Sequence, residues 1–294
     1  MRPSLLFRLA GTLLLTTAPL RAQSLPKAIF TDPPHDSLYP ARGEVIALST
    51  GGGVVKGMAY LPSGADAKPT FVFLHGFPGN ERNFDLVQAV RRAGWNALAI
   101  GYRGAWGNPG TYSFAHNMED VKGWLRWLRD PATVKRLGID TTRVVLAGHS
   151  MGGWLTALAA VDERGLLGAA LISASDMPVK SRGDSAQTRA FYDGAVASAL
   201  AGTTGTQLRE ELAANREHWH LTAGATRMPQ VPMLVLSSDD GNAPSTDSLV
   251  VALRAGGNRR ITTAHVATDH SWNDRRIELQ ARVINWLDAL LVGR

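Results

Sequence analysis

The 294-residue chain contains no cysteine. That absence excludes disulfides, a cysteine nucleophile, thiolate zinc centres and a lipidated N-terminal cysteine. Long apolar runs are also missing. The stretch LAGTLLLTTAPL, residues 9–20, is mostly apolar but too short to span a bilayer comfortably, and nothing later resembles a transmembrane helix. No run of five like charges occurs, and basic residues do not interleave with aromatics. A nucleic-acid-binding role is therefore not expected. The triple glycine Gly51-Gly52-Gly53 lacks the Lys-Ser/Thr pair and the following helix of a phosphate-binding loop.

What is present begins with MRPSLLFRLAGTLLLTTAPLRAQS. Arg2 and Arg8 form a basic front, a short apolar core follows, and Ala22 offers a small residue for cleavage before Gln23. This order predicts a secretory signal peptide over residues 1–22 and a secreted or periplasmic protein with no membrane span after its removal. Arg2, Arg8 and Arg21 account for three units of the formal net charge of +6, so much of the basic excess belongs to targeting. The remainder, residues 23–294, is of a length usual for one α/β domain. Hydrophobic residues make up 45% of the chain, enough for a sizeable core.

Residues 23–43 are proline-rich and read as an irregular lead-in. EVIALS (44–49) and VVKGMAYLP (54–62) flank the triple glycine as a β-hairpin. FVFLHG (71–76), NALAI (96–100), RVVLAG (143–148), GAALISA (168–174), MLVLSS (233–238) and ITTAHVA (261–267) are near-continuous apolar runs, the pattern of strands buried on both faces. Helical patterns lie between them at 83–94, 118–130, 152–160 and 275–291. The alternation predicts an α/β fold: a mostly parallel eight-stranded sheet with helices on both faces and an antiparallel hairpin first. Residues 177–230 are too long for a plain connection. They hold two helical patterns, AFYDGAVASAL and TQLREELAANREHW, and read as a helical cap inserted between strands six and seven.

The chemistry concentrates at GHSMG, residues 148–152. As a bare G-x-S-x-G pattern it is weak. Its context is not, because the serine follows a buried strand and precedes a helix. A strand that turns sharply into a helix lifts its corner residue out of the sheet. The crowded turn needs small neighbours, which Gly148 and Gly152 supply. Ser150 is the candidate nucleophile, and the Met151 N–H at the helix start can hold an oxyanion. A serine hydroxyl needs a base, usually a histidine oriented by a carboxylate. DDGNAP follows the seventh strand and TDHSWND the eighth, both on the sheet edge that carries Ser150. His270 is the candidate base. His265 lies inside a strand pattern and reads as a core or face residue, and His149 inside the elbow as a residue that packs or supports the site from behind rather than a catalytic one. Asp239 and Asp240 both qualify as the acid, and Asp269 reads as a capping residue. His75-Gly76-Phe77-Pro78-Gly79 after the third strand offers the Phe77 N–H as a second oxyanion donor.

LHGFPGN (74–80), YRGAWGNPG (102–110), GHSMGG (148–153), DGNAP (240–244) and DHSW (269–272) together resemble the α/β-hydrolase superfamily. The likeness is to bacterial dienelactone-hydrolase-like and prolyl-oligopeptidase-like serine esterases and peptidases. It implies an α/β-hydrolase fold. The family's Asp-x-x-x-Pro segment maps onto Asp240 and its Asp-His-Ser segment onto His270, which implies a Ser150-His270-Asp240 triad acting through an acyl-enzyme without a cofactor. The implied partner is a small ester or a short peptide. The superfamily also includes non-hydrolytic members, so a silent binding protein on this scaffold is a further reading.

Three other features carry less. His218 and His220 in EHWH sit two residues apart on a helical pattern and would not share a face as metal ligands. Glu210-Glu211 could grip a peptide N-terminus, although a solvated helix face is its commoner meaning. Arg103 in YRG could bind a carboxylate or brace loops, and Trp106, Tyr112 and Phe114 could line a pocket or pack.

Overall fold

A computed structural model describes residues 25–292, apart from positions 184 and 229. The expected signal segment, residues 1–22, lies outside the described residues. Among the described residues, no helix is long and apolar enough to cross a membrane. The elements run β1 (Arg42–Thr50), β2 (Gly53–Leu61), β3 (Lys68–Leu74), α1 (Phe84–Arg92), β4 (Asn96–Ala99), α2 (Phe114–Trp127), α3 (Pro131–Leu137), β5 (Ile139–His149), α4 (Met151–Asp162) and β6 (Leu166–Ile172). Then follow α5 (Met177–Lys180), α6 (Ala186–Ala199), α7 (Gly205–Ala214), α8 (Arg216–Trp219), β7 (Met233–Ser238), α9 (Ala243–Ala255), β8 (Ile261–Val266) and α10 (Arg276–Val292).

The strands form one eight-stranded sheet in the order β1-β2-β4-β3-β5-β6-β7-β8. β1 pairs antiparallel with β2, and β2 with β4. The other pairings are parallel. This is the expected α/β-hydrolase architecture. The central strands are apolar throughout because both of their faces are covered. On β3, Phe71 and Phe73 point to one side, Val72 and Leu74 to the other, and all four are buried. The first side packs with α1 and α10 through Val87, Val90, Trp286 and Leu287. The second packs with α2 and α4 through Phe114, Trp124 and Trp154. Period-two alternation thus feeds two separate cores.

Three helix boundaries differ from the sequence reading. α2 begins at Phe114, four residues before the periodic pattern, because the Ser113 hydroxyl accepts the His116 N–H and caps the helix. α3 lies beyond the predicted pattern, which ends at residue 130. Asp130 accepts the N–H groups of Ala132 and Thr133, and Pro131 at the first helical position starts a new helix. The helical pattern at 206–219 divides into α7 and α8, with Asn215 between them.

The segment between β6 and β7 holds α5 to α8 and is stitched to the loop after β4. Trp106 N–H donates to the Ala199 carbonyl at 2.8 Å, Ala201 N–H to Gly104 at 2.7 Å, and Tyr112 N–H to Ala201 at 2.9 Å. Glu211 adds a further tie. Its carboxylate oxygens each accept a first-turn amide of α2, from Phe114 and Ala115, both at 2.9 Å. The acidic residue therefore caps a helix across the insertion rather than facing a ligand. Glu211→Ala is expected to cost about 1–2 kcal/mol of stability, since two helix-end amides lose a charged acceptor. Thermal unfolding checks this, with exposed Glu210→Ala as a control that changes little.

Candidate active site

β5 ends at His149 and α4 begins at Met151, so the reversal falls on Ser150 alone. Its backbone sits at φ 58°, ψ −122°, where a side-chain-bearing residue is strained. Close approach explains the flanking glycines. A Cβ on Gly152 would stand 2.0 Å from the Leu74 carbonyl oxygen, and one on Gly148 would stand 2.2 Å from the Gly152 main chain. No larger residue fits either place. Ser150 O accepts the N–H of Gly153 at 3.0 Å and of Ser175 at 3.1 Å, which holds the turn.

The loops after β7 and β8 meet beside it. His270 Nδ1–H donates to Asp240 Oδ2 at 2.6 Å. The Asp240 side chain is 3% exposed and that of His270 38%, so the acid is enclosed and the imidazole opens outward. Asn242 completes the acid's surroundings, its backbone N–H reaching Oδ1 at 2.9 Å and its side-chain amide Oδ2 at 2.8 Å. Burial alone would raise the Asp240 pKa, but the hydrogen bonds from His270 and Asn242 outweigh it and hold the carboxyl at about 2. Asp239 points elsewhere. It accepts from His265 Nε2 at 2.9 Å and is 61% exposed, while His265 Nδ1 accepts from Ser237 Oγ at 2.9 Å. Of the neighbouring aspartates it is thus Asp240 that is bonded to His270, and His265 lies on an open sheet face. Asp269 accepts the Asn273 N–H at 2.9 Å, a local cap as expected.

The His270 loop is pinned from two sides. Trp272, fully buried at φ 60°, donates its indole N–H to Ser173 Oγ at 2.9 Å. His149 lies under the loop, with its Nε2–H donating to the His270 carbonyl at 2.7 Å and its ring centroid 4.7 Å from that of His270. His149 Nδ1 is buried with no hydrogen-bond partner in the described structure. His149 thus has the supporting place that was one of its two readings, since it fixes the backbone that carries His270.

The segment Gly76-Phe77 crosses over Ser150. A Cβ built on Gly76 would lie 3.5 Å from Ser150 Oγ. Among the described residues, neither the Phe77 N–H nor the Met151 N–H reaches a backbone or side-chain acceptor, and the first amide of a helix has none within its own helix. The His75 ring N–H bonds the Gly76 carbonyl at 2.8 Å and steadies this segment. Phe77 rests on Tyr112, Phe114 and Tyr192, with ring centroids 5.5–6.1 Å away. Tyr112 and Phe114 are core residues beneath it. Trp106 instead donates its indole N–H to the Pro78 carbonyl at 2.7 Å. Arg103 braces α2 through Asp120 and Glu119 rather than facing a ligand.

Ser150, Asp240 and His270 share one cavity of about 480 Å³ with Phe77, Met177 and Phe191. Ser150 Oγ lies 3.4 Å from Ser175 Oγ. Among the described residues it makes no hydrogen bond to His270. Ser175 and Asn242 were not found by sequence reasoning. Asn242 had a usable signal, because Asp-x-Asn is a local turn in which the side chain and amide meet the carboxylate. Ser175 had none. A second cavity, of about 440 Å³, lies against α8 and holds Glu217, His218 and His220. Among the described residues, no group of three metal-ligating side chains forms there or elsewhere.

The two buried histidines imply a pH effect. Burial is the main cause that lowers His75 and His149 to about 4 from 6.5. Unfolded, each would bind a proton below about 6.5; folded, each resists until about 4. Stability therefore falls as pH drops from 6.5 to 4, by up to about 3 kcal/mol per histidine. Thermal unfolding from pH 7 to 4 should show a steady decline, and a flat profile would contradict it.

A family model described as the alpha/beta hydrolase family matches residues 71–285. The chain is 31% identical over 98 residues to the "Putative esterase YheT" of Escherichia coli (strain K12), covering 31% of this chain. It spans only 27% of the length of that curated relative. Among solved structures, the fold is shared with EstE1, a thermostable carboxylesterase from a metagenomic library, at TM-score 0.64 and 19% identity over 90% of this chain and 92% of the other. It is shared also with an esterase of Pyrobaculum calidifontis at TM-score 0.61 and 19% identity, over 90% and 88%. An acylaminoacyl peptidase of Pyrococcus horikoshii matches at TM-score 0.61 and 16% identity, over 84% of this chain and 41% of that one. A strained serine between strand and helix, loops converging on it from β7 and β8, and a family model spanning most of the sheet lead to one conclusion: this chain belongs to the alpha/beta hydrolase family.

Proposed function

We propose that the protein is a serine hydrolase that cleaves a carboxylic ester or a related acyl bond. The observation that carries the reading is the enclosed Asp240 bonded to the half-open His270, in the same cavity as the strained Ser150. Ser150 Oγ turns from Ser175 toward His270 as substrate enters and attacks the acyl carbon. Such contacts are often loose without substrate. His270 takes the hydroxyl proton and returns it to the leaving alcohol. Asp240 keeps the proton of His270 on Nδ1 and stabilises the charged ring. The N–H groups of Phe77 and Met151 hold the oxyanion. Water activated by His270 then attacks the acyl-enzyme and releases acid and Ser150. The segment 177–230 walls the cavity as a cap on the domain 23–294. The basic-apolar-small order of residues 1–22 supports export to a secreted or periplasmic location.

The peptidase reading loses the feature that pointed to it, because Glu211 caps α2. The test is labelling with a fluorophosphonate beside hydrolysis of short p-nitrophenyl esters, in wild type and Ser150→Ala. Loss of both in the variant supports the proposal. A folded wild type that neither labels nor turns over would sink it and favour a binding protein.

A further inference from the structure

The cavity wall carries two formal charges of opposite sign, Asp240 and Lys180. Asp240 is enclosed and hydrogen-bonded to His270 and Asn242, so Lys180 is the charge on the wall that stays open to a ligand. Lys180 closes α5, one turn from Met177, and is exposed. The nearest acid in sequence, Asp176, is engaged elsewhere: its Oδ1 accepts the Val179 N–H at 3.4 Å and its Oδ2 the Leu221 N–H at 3.0 Å. Among the described residues, no carboxylate pairs with Lys180. The same wall carries Phe77, Met177 and Phe191 beside the polar Ser175, Gln187 and Thr188, with the two aromatic rings 5.6 Å apart. A substrate amine would meet a like charge here. A substrate with an apolar body and a terminal carboxylate would find both aromatic rings and a cation on this wall.

We propose that Lys180 selects for esters whose acyl part carries a carboxylate, so that the preferred substrate is a monoester of a short dicarboxylic acid. This rests on the proposed hydrolase activity and names its substrate class. Lys180 acts on binding alone and takes no part in bond making. Because the side chain is solvated, the selectivity is modest. The gain from an exposed ion pair corresponds to about fivefold at low salt, and it shrinks as salt screens the pair.

The test compares the p-nitrophenyl monoester of adipic acid with p-nitrophenyl hexanoate, which has an equal acyl chain and no charge. The readout is the ratio of their kcat/KM values, which cancels any general loss of activity. The ratio should be about fivefold higher in wild type than in Lys180→Gln at low ionic strength. Lys180→Arg should recover most of it. Lys122→Gln, which removes the same net charge at a site on α2 outside this cavity, should keep the wild-type ratio. An equal ratio in wild type and Lys180→Gln, or an equal drop in Lys122→Gln, overturns the proposal while leaving the hydrolase reading intact. Calorimetric titration of adipate into Ser150→Ala, with and without Lys180→Gln, keeps the question open to decision without turnover. Weaker adipate binding on loss of Lys180 upholds the site even if no ester is cleaved. Equal binding or none in both, with no ester turnover, overturns it together with the hydrolase reading.

Discussion

Ser150→Ala should lower kcat for p-nitrophenyl ester hydrolysis by about 10⁴- to 10⁶-fold, the range seen when a triad nucleophile is removed. Fluorophosphonate labelling should disappear with it. The fold should persist, because the turn is held by backbone bonds from Ser150 O to Gly153 and Ser175 and by the close packing of Gly148 and Gly152. Alanine keeps the Cβ that the turn already accommodates. A variant that retains more than about a hundredth of wild-type kcat would place the nucleophile elsewhere. The hydroxyl of Ser175, 3.4 Å from Ser150 Oγ, would be the first to examine.

Asp240→Asn should lower kcat by about 10⁴-fold, because an amide in that place favours the wrong imidazole tautomer. Asp239→Asn, one residue away, should change it by less than about threefold, since Asp239 faces His265 and solvent. The contrast between adjacent residues separates a specific role from a general electrostatic one. Comparable losses in both would contradict the assignment. Asp240→Asn also has a stability signature. The carboxyl titrates near 3.8 when unfolded and at about 2 when folded. Its contribution is fully present above about pH 4 and is lost as pH falls toward 2, amounting to about 2 kcal/mol. The variant should flatten that lowest stretch of the acid-unfolding profile. The decline between pH 6.5 and 4, which belongs to His75 and His149, should remain.

Much of this was legible from residue order because it depends on local rules. A strand buried on both faces must be apolar throughout, so FVFL and VVLAG announce themselves. A sharp strand-to-helix turn must have small flanks, so Gly148 and Gly152 mark Ser150. The helix starts at Phe114 and Pro131 were missed because single capping side chains, Ser113 and Asp130, set them rather than the apolar pattern at 118–130. The acidic pair at 210–211 showed the limit of local reading. Nothing near Glu211 in the chain says that the α2 amides, almost a hundred residues away in sequence, are its partners.

The sequence by itself determined the strand and helix alternation, the elbow at Ser150 and the two loops that carry Asp240 and His270. These follow from periodicity, glycine placement and the shared sheet edge. Only the tertiary structure decided between Asp239 and Asp240, bonded His149 to the loop that carries His270, set Ser175 against Ser150, and brought Lys180 onto the cavity wall. Each of those outcomes depends on the direction of a side chain after distant segments have packed. One residue's shift along a loop reverses that direction while leaving composition and periodicity almost unchanged.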